Sequence, residues 1–539
     1  MKLRSKRALT VLVATGVVAA SAAHAGASEA KTQAVSPADS AKVLRLNLSD
    51  EPMSIDPAVA DDQHSLTLAR ALFDGLVRIG PDGKLQLSLA DKMDVSADLK
   101  TYTFHLREAK WSNGDPVTAH DFEYAWKRVL DPNTESSYAY QLFPILNAEK
   151  ANSGKEKLDA VGVKAVDAKT LRVILEQPTP YFAELTAFPV FYPVNQKVVA
   201  ANPAWAEEAS THVGNGPYKL ASWNRDDKLT LSKNAGYWDQ AAVKLDKLDF
   251  SISRGEDQAL AKFDAGEVDM AGAPFGELPL HALPILQEKG LLHTKPLAAV
   301  YWYKFNTEQA PFTNAKIRKA FAYALNRQAI VDTVLKGNQE PALTAVPVSD
   351  KNKQPAYFKD NDQKLAKTLL AEGMKELGLA KLPPIAISLN QSPVHQKVAV
   401  EIQRQWKQTL GVEVQLQELE WKVFLENLHN GDYQIGRSGW FADYADPANF
   451  LELYKEKDGG LNDTKWENKA YQSLLQQAAS QADPAKRQQL LAQAEKLLMD
   501  EMPVIPIYFY TNNWVQDKKV KGIVMDDLGY LDFKWASKE

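Results

Sequence analysis

The chain has 539 residues, 45% of them hydrophobic and 24% charged, with no cysteine and a formal net charge of -5. That length asks for two or three domains, the composition suits folded globular cores, and the charge leaves no basic footprint for nucleic acid. The missing cysteines exclude disulfides, thiolate zinc sites, a cysteine nucleophile and a lipid-modified cysteine behind an export signal.

The N-terminus reads as an address. Lys2, Arg4, Lys6 and Arg7 precede an apolar run from Ala8 to Ala23, and Ala23-His24-Ala25 has the small-x-small pattern of a cleavage site. A signal peptide over 1–25 and a flexible leader over 26–41 are predicted, leaving a mature chain free in a periplasmic or secreted compartment. A first strand follows, with Leu44, Leu46 and Leu48 alternating with Arg45 and Asn47, and then a helix over 65–76. Tyr102, Phe104 and Leu106 alternate before the turn Ser112-Asn113-Gly114-Asp115-Pro116. Thr118 and Asp121 then open a helix with Phe122, Trp126, Val129 and Leu130 on one face. Strands are predicted at 171–175, 228–231 and 248–252. Beyond residue 300 the spacing predicts a long helix over 315–335, a helix over 394–410 leading through Gly411 to a strand at 412–416, a proline-started helix over 484–498 and a strand at 504–510. Helices and strands alternate throughout, so the class is mixed α/β, with domains joined by chain crossovers.

Catalytic and cofactor motifs are missing. No HExxH, GxxxxGK[ST] or GxSxG occurs, and Gly214-Asn215-Gly216 runs into Pro217, so it opens no phosphate-binding helix. Acidic pairs such as Asp61-Asp62 or Glu418/Glu420 have the composition of a glycosidase pair, but among 68 acidic residues a solvated surface is the default. The expectation is a protein with no catalytic residue, no metal and no cofactor.

The segment Gly436 to Asn449, GRSGWFADYADPAN, concentrates recognition chemistry. Arg437 can fork onto a carboxylate, Asp443 can accept from an ammonium, and Gly439 lets another backbone approach. A strand edge bearing these residues offers one anchor for each end of a peptide. The same residues also fit an internal ion pair beside a buried tryptophan.

The block Thr101 to Pro132, TYTFHLREAKWSNGDPVTAHDFEYAWKRVLDP, resembles the extracellular solute-binding protein family 5, which supplies oligopeptide- and dipeptide-binding components of ABC importers. Glu51-Pro-Met-Ser-Ile-Asp-Pro57, Leu72-Phe-Asp-Gly-Leu76, Val213-Gly-Asn-Gly-Pro-Tyr-Lys219, Ile317 to Arg327 and Pro506 to Tyr510 agree with it in order. Arg437-Ser-Gly-Trp-Phe-Ala-Asp-Tyr444 resembles the motif of the oligopeptide-binding branch. The resemblance implies a type II periplasmic binding protein fold with three lobes and a two-segment hinge. Lobe I would gather 42–73, 198–298 and 512–539, lobe II would be 74–197 and lobe III 299–511.

The resemblance also implies roles. Asp443 would take the ligand's α-ammonium, Arg437 its carboxylate for some peptide lengths, Gly439 would give backbone access, and Trp440 would wall a side-chain pocket with Phe441 beside it. His395 would be a second carboxylate contact with Asn390 upstream of it. Trp421, Tyr510, Asp61 and Tyr138 would stand in the ligand shell. Each has a structural alternative, and for Trp421 it is core packing at the end of a strand over 412–421. Implied partners are an oligopeptide and the permease subunits of an ABC transporter, with the receptor itself a monomer. Alternatives are a receptor for a murein peptide, nickel, heme or sugar, a secreted hydrolase, or a chaperone-like binder. Many members carry a cysteine after the signal and some a disulfide, whose positions here hold Ala299 and Phe441.

Overall fold

The computed structural model describes residues 42–347, 355–457 and 461–539. The predicted signal peptide and leader lie outside the described residues. Among those described, no helix is long and apolar enough to cross a membrane.

The first strand, Val43–Leu48, pairs in parallel with Lys247–Ile252 and buries Leu44, Leu46 and Leu48, as its alternation predicts. With Lys228–Lys233 and Tyr218–Asn224 it makes a four-stranded sheet. A second four-stranded sheet, antiparallel, joins Ala90–Val95, Thr101–Leu106, Thr170–Ile174 and Val163–Asp167. Helix Ala119–Leu130 packs against it, and the Asp121 carboxylate accepts from the Thr118 N–H at 2.9 Å, the predicted capping contact. Both sheets share one hydrophobic core, running from Leu44 to Phe275 with a return from Val520 to Ala536. A separate core runs from Val300 to Phe509 around a seven-stranded sheet.

Two long strands, Leu292–Phe305 and Val504–Gln516, connect the regions of these cores. They pair antiparallel from Leu292 opposite Val515 to Pro296 opposite Thr511, lose register, and resume with Val300 opposite Phe509. On the near side of this break Val504–Gln516 also holds Met270–Gly272, and on the far side Leu292–Phe305 holds Ile435–Phe441. Proline at 296 donates no ladder hydrogen bond, and a register shift bends and twists a strand pair. A local irregularity in both connecting strands therefore falls between the two cores.

Three expectations need correction. The long helix over 315–335 is broken into Ala315–Tyr323, Arg327–Ile330 and a π-turn at Val331–Leu335. Asn326 restarts it, because its side chain accepts from the Ala329 N–H at 2.9 Å while its own N–H donates to Gln405 at 2.7 Å. The buried Arg327 beside it donates to the Pro506 carbonyl at 2.6 Å, a contact that fixes where the chain turns. The helix over 65–76 stops earlier, as Gln63–Leu72. Gly214-Asn215-Gly216 packs on its end: Gly216 N–H donates to the Leu72 carbonyl at 2.9 Å, and a Cβ there would lie 2.5 Å from Leu72 backbone. The strand over 412–421 ends at Leu419, and Glu420 caps a helix Trp421–Asn430 by accepting from the Lys422 N–H at 2.9 Å.

Candidate functional site

Strand Ile435–Phe441 pairs antiparallel with Leu292–Phe305 along its whole length, Phe441 opposite Ala299. On its other side it meets Ile385–Asn390 only at Ile387–Ile435 and Ser388–Gly436. Among the described residues no strand pairs with that second edge from Arg437 onward. Backbone groups alternate sides along a strand. The Gln434 carbonyl and the Ala442 N–H both bond toward the 292–305 side, to Asn306 N–H and Ala298 carbonyl. The odd positions Arg437, Gly439 and Phe441 therefore turn their N–H and C=O to the open edge. A row of main-chain donors and acceptors is available there to an extended chain.

The two charged residues of the segment do not pair with each other. Just past the strand, Asp443 accepts from the Tyr140 hydroxyl at 2.7 Å, and its own N–H donates to Asn449 Oδ1 at 3.2 Å. Asn449 Oδ1 also accepts from Trp440 Nε1 at 2.6 Å, which ties the tryptophan to the same corner. Burial pushes the Asp443 carboxyl above its usual value, against the hydrogen bonds from Tyr140 and Asn449 that pull it down. Behind it, Arg487 forks onto Asp446 at 2.6 and 2.9 Å, and Tyr444 stacks on Tyr181 with 4.6 Å between ring centroids.

Arg437 lies over the face of Tyr301, its guanidinium carbon 4.9 Å from the ring centroid. It donates to Tyr510 at 3.3 Å and to Asn390 at 3.5 Å, across the gap where the sheet opens. His395, in the first turn of helix Pro393–Leu410, brings its ring 5.5 Å from Tyr301. Burial, and then the neighbouring Arg437 cation, push this imidazole down to about 4, so it is neutral at pH 7. Arg437 Nε and His395 Nδ1 are both buried without a hydrogen-bond partner. Such atoms cost about 1–3 kcal/mol each when left unsatisfied. Arg437 Nε, and His395 Nδ1 in the tautomer that carries its N–H there, are thus able to donate to an anion.

Gly439 serves its neighbour. A Cβ at 439 would lie 3.1 Å from the Val300 carbonyl, a tight contact, and 3.5 Å from the Tyr510 hydroxyl, an ordinary one, so its absence chiefly relieves the paired strand. Phe441 is 54% exposed and packs on Tyr510 at 4.6 Å between centroids. Both line a cleft of about 940 Å³ whose other walls include His64, Leu278, Leu297 and Asn512. Asp443 lines a different and much smaller recess with Arg70, Phe188 and Asp527. The large cleft and the charged anchors are thus joined through the open strand edge.

Trp421 is 49% exposed at the start of its helix, its ring 6.1 Å from Phe424, so core packing does not account for it. It follows Leu419, the ladder partner of Asn390, and so shares that end of the sheet. Asp61 accepts from Ser137 at 3.0 Å, and Tyr138 packs on Phe188 at 4.9 Å and on Tyr140 at 6.0 Å. The acidic pairs have structural work: Asp62 caps helix Gln63–Leu72, and Glu420 caps helix Trp421–Asn430. Tyr140, Tyr301 and Asn449 were missed from sequence. Tyr140 and Tyr301 act across the fold, whereas Asn449, at the end of the 436–449 segment, bonds only six and nine positions back.

Comparison with known proteins places this arrangement. The family model for bacterial extracellular solute-binding proteins, family 5, matches residues 84–462. The chain belongs to this family. The oligopeptide-binding protein OppA of Bacillus subtilis (strain 168) is 50% identical over 501 residues, covering 92% of each chain. MppA, a periplasmic murein tripeptide binding protein, in its unliganded open form matches with a TM-score of 0.83 at 32% identity, over 93% of this chain and 98% of that one. Haemophilus influenzae OppA in complex with RPPGFSPFR matches with a TM-score of 0.72 at 31% identity, over 93% and 99%. The fold is the α/β type II periplasmic binding protein fold. At equal sequence distance and coverage, this family 5 chain lies nearer to the unliganded open structure than to the peptide complex.

Proposed function

We propose that the protein is an extracytoplasmic oligopeptide receptor of an ABC importer. An extended peptide adds as a strand to the open edge at Arg437, Gly439 and Phe441, with its ammonium on Asp443. The observation that carries this reading is the open edge itself, a run of sequence-blind main-chain groups with a carboxylate at one end and an under-satisfied cation at the other. Arg437 and Asp443 are six positions apart, the first four steps being strand at about 3.3 Å each, so the anchors are held roughly 15–20 Å apart and Arg437 and His395 take the carboxylate only in peptides of matching length.

In this reading 42–73, 198–298 and 512–539 form lobe I, 74–197 lobe II and 299–511 lobe III. The separate cores and the register break between Pro296 and Val300 support hinge strands at that boundary. Closure buries the peptide between the lobes, and fixed protein charges replace water at its ends. The protein then delivers its ligand to permease subunits, acts as a monomer and performs no chemical step. Asp61, Tyr138 and Trp421 join the ligand shell as the cleft closes.

Native mass spectrometry of the purified protein mixed with a random tetrapeptide library tests the reading. Retention of many peptides of unrelated side chains is expected. Retention of none, with N-acetylated and free peptides equally ignored, overturns it.

A further inference from the structure

We propose that Tyr140 is a positioning residue of the amine site, holding Asp443 in place while the cleft is open and accepting from the peptide's ammonium once it binds. The inference rests on the peptide-receptor reading. Its own ground is a hydrogen bond of 2.7 Å between residues 303 positions apart, made in a structure that lies nearer an unliganded open form. Tyr140 sits on a short 3-10 turn, Ala139–Leu142, and its ring leans on Tyr138. A partly buried carboxylate needs donors when no ligand is present, and here the tyrosine supplies one.

A carboxylate has about four lone-pair sites and Tyr140 uses one of them. The ammonium can therefore arrive without displacing it. A hydroxyl that donates to Asp443 keeps its own lone pairs for another donor, so Tyr140 and Asp443 together present two acceptors to one ammonium. Donation to the carboxylate also polarises the hydroxyl oxygen and makes it a better acceptor. Burial and the adjacent carboxylate push the Tyr140 hydroxyl far above its usual range, so it remains a donor at every working pH.

Other titratable groups surround this corner. Arg70, Glu184, Asp526 and Asp527 line the same recess, and Arg70 is paired with Asp526 at 2.5 Å. Tyr138 bonds toward Tyr530, and Asp61 and Asp62 lie behind it. Losing the Tyr140 hydrogen bond removes a contact that favours ionised Asp443, so the acid limb of binding moves to higher pH.

The test is calorimetric titration of the full chain with tetra-alanine, free and N-acetylated, for wild type and Tyr140→Phe across a pH series. The phenylalanine keeps the ring packing, and circular dichroism verifies the fold. We expect Tyr140→Phe to weaken the free peptide by about tenfold, to leave the acetylated peptide unchanged, and to raise the pH at which binding is half lost. Tighter binding by Tyr140→Phe, which would make the hydroxyl a competitor of the ammonium, overturns the inference. Unchanged affinity with an unmoved acid limb overturns it as well. If acetylation costs wild type nothing, the amine anchor itself fails, an outcome distinct from either.

Discussion

The two ends of the open strand edge are built on opposite principles. At Asp443 the carboxylate is met within the protein: Tyr140 and Asn449 hold the corner, and Arg487, though its Nε has no partner, is neutralised by Asp446. At Arg437 the cation rests on an aromatic floor, and Arg437 Nε and His395 Nδ1 lack partners. A finished site binds its ligand without rearrangement, whereas an unfinished one gains most from the ligand that completes it. The contrast suggests a fixed amine anchor and a conditional carboxylate anchor.

The largest expected effect breaks the fixed end. Asp443→Ala leaves a desolvated ammonium without its counter-charge, which costs about 2–5 kcal/mol, a loss of about 30-fold or more in affinity. Because N-acetylation removes the other half of the same contact, the two changes together should cost little more than either alone. Calorimetry of the four combinations measures this. Additive losses would mean that the ammonium and Asp443 do not meet.

At the conditional end, Arg437→Ala should weaken one length class of peptide by about tenfold and leave longer or shorter ones within about twofold. A series of alanine peptides of increasing length reads this directly. Equal losses at all lengths would show that the arginine supports the fold and not the carboxylate. Its contacts with Tyr510, Asn390 and the Tyr301 ring make that structural role the real competitor.

Much of this contrast was legible in the sequence, and the illegible part has a physical cause. Alternation in Val43–Leu48 and Thr101–Leu106 announced strands buried on one face, and Thr118 with Asp121 announced a helix start, since all of these are local patterns. The long helix over 315–335 failed because Asn326 and Arg327 answer to Gln405, Asp360 and Pro506, which are remote in sequence. In the site, Arg437 and Asp443 were visible as chemistry, but their partners were not. Tyr140 meets Asp443 across 303 positions, and no local pattern carries that. Gly439 was legible as a special position, yet its tightest neighbour, the Val300 carbonyl of the paired strand, was not.

Acid separates the ends again. His395 is held down to about 4 and Asp443 above its usual range, so binding should be flat around neutral pH and fall in acid as Asp443 takes up a proton. For folding the two groups differ in sign. The raised Asp443 carboxyl binds its proton more readily in the folded chain and favours the free fold in acid, whereas His395, held below its ordinary value, takes its proton less readily when folded and opposes it. Titration of a free-amine peptide across this range, beside thermal melts of the ligand-free protein, reads both. An affinity that rises in acid would move control of binding from Asp443 to another group.

The smallest expected effect tests whether the ends communicate. Gly439→Ala puts a Cβ 3.1 Å from the Val300 carbonyl and 3.5 Å from the Tyr510 hydroxyl, the group that accepts from Arg437. The new methyl restricts the unfolded chain, which favours folding, and crowds the neighbouring strand, which opposes it. Net stability should therefore shift by less than about 1 kcal/mol. The crowding falls on the Val300 carbonyl, while the Tyr510 hydroxyl at 3.5 Å stays in ordinary contact, so neither Asp443 nor the arginine's partner is displaced. Affinity should then stay within about twofold at every peptide length. A loss shared by every length would instead place the methyl against the peptide backbone, and the glycine would belong to the edge and not to the contact with the paired strand.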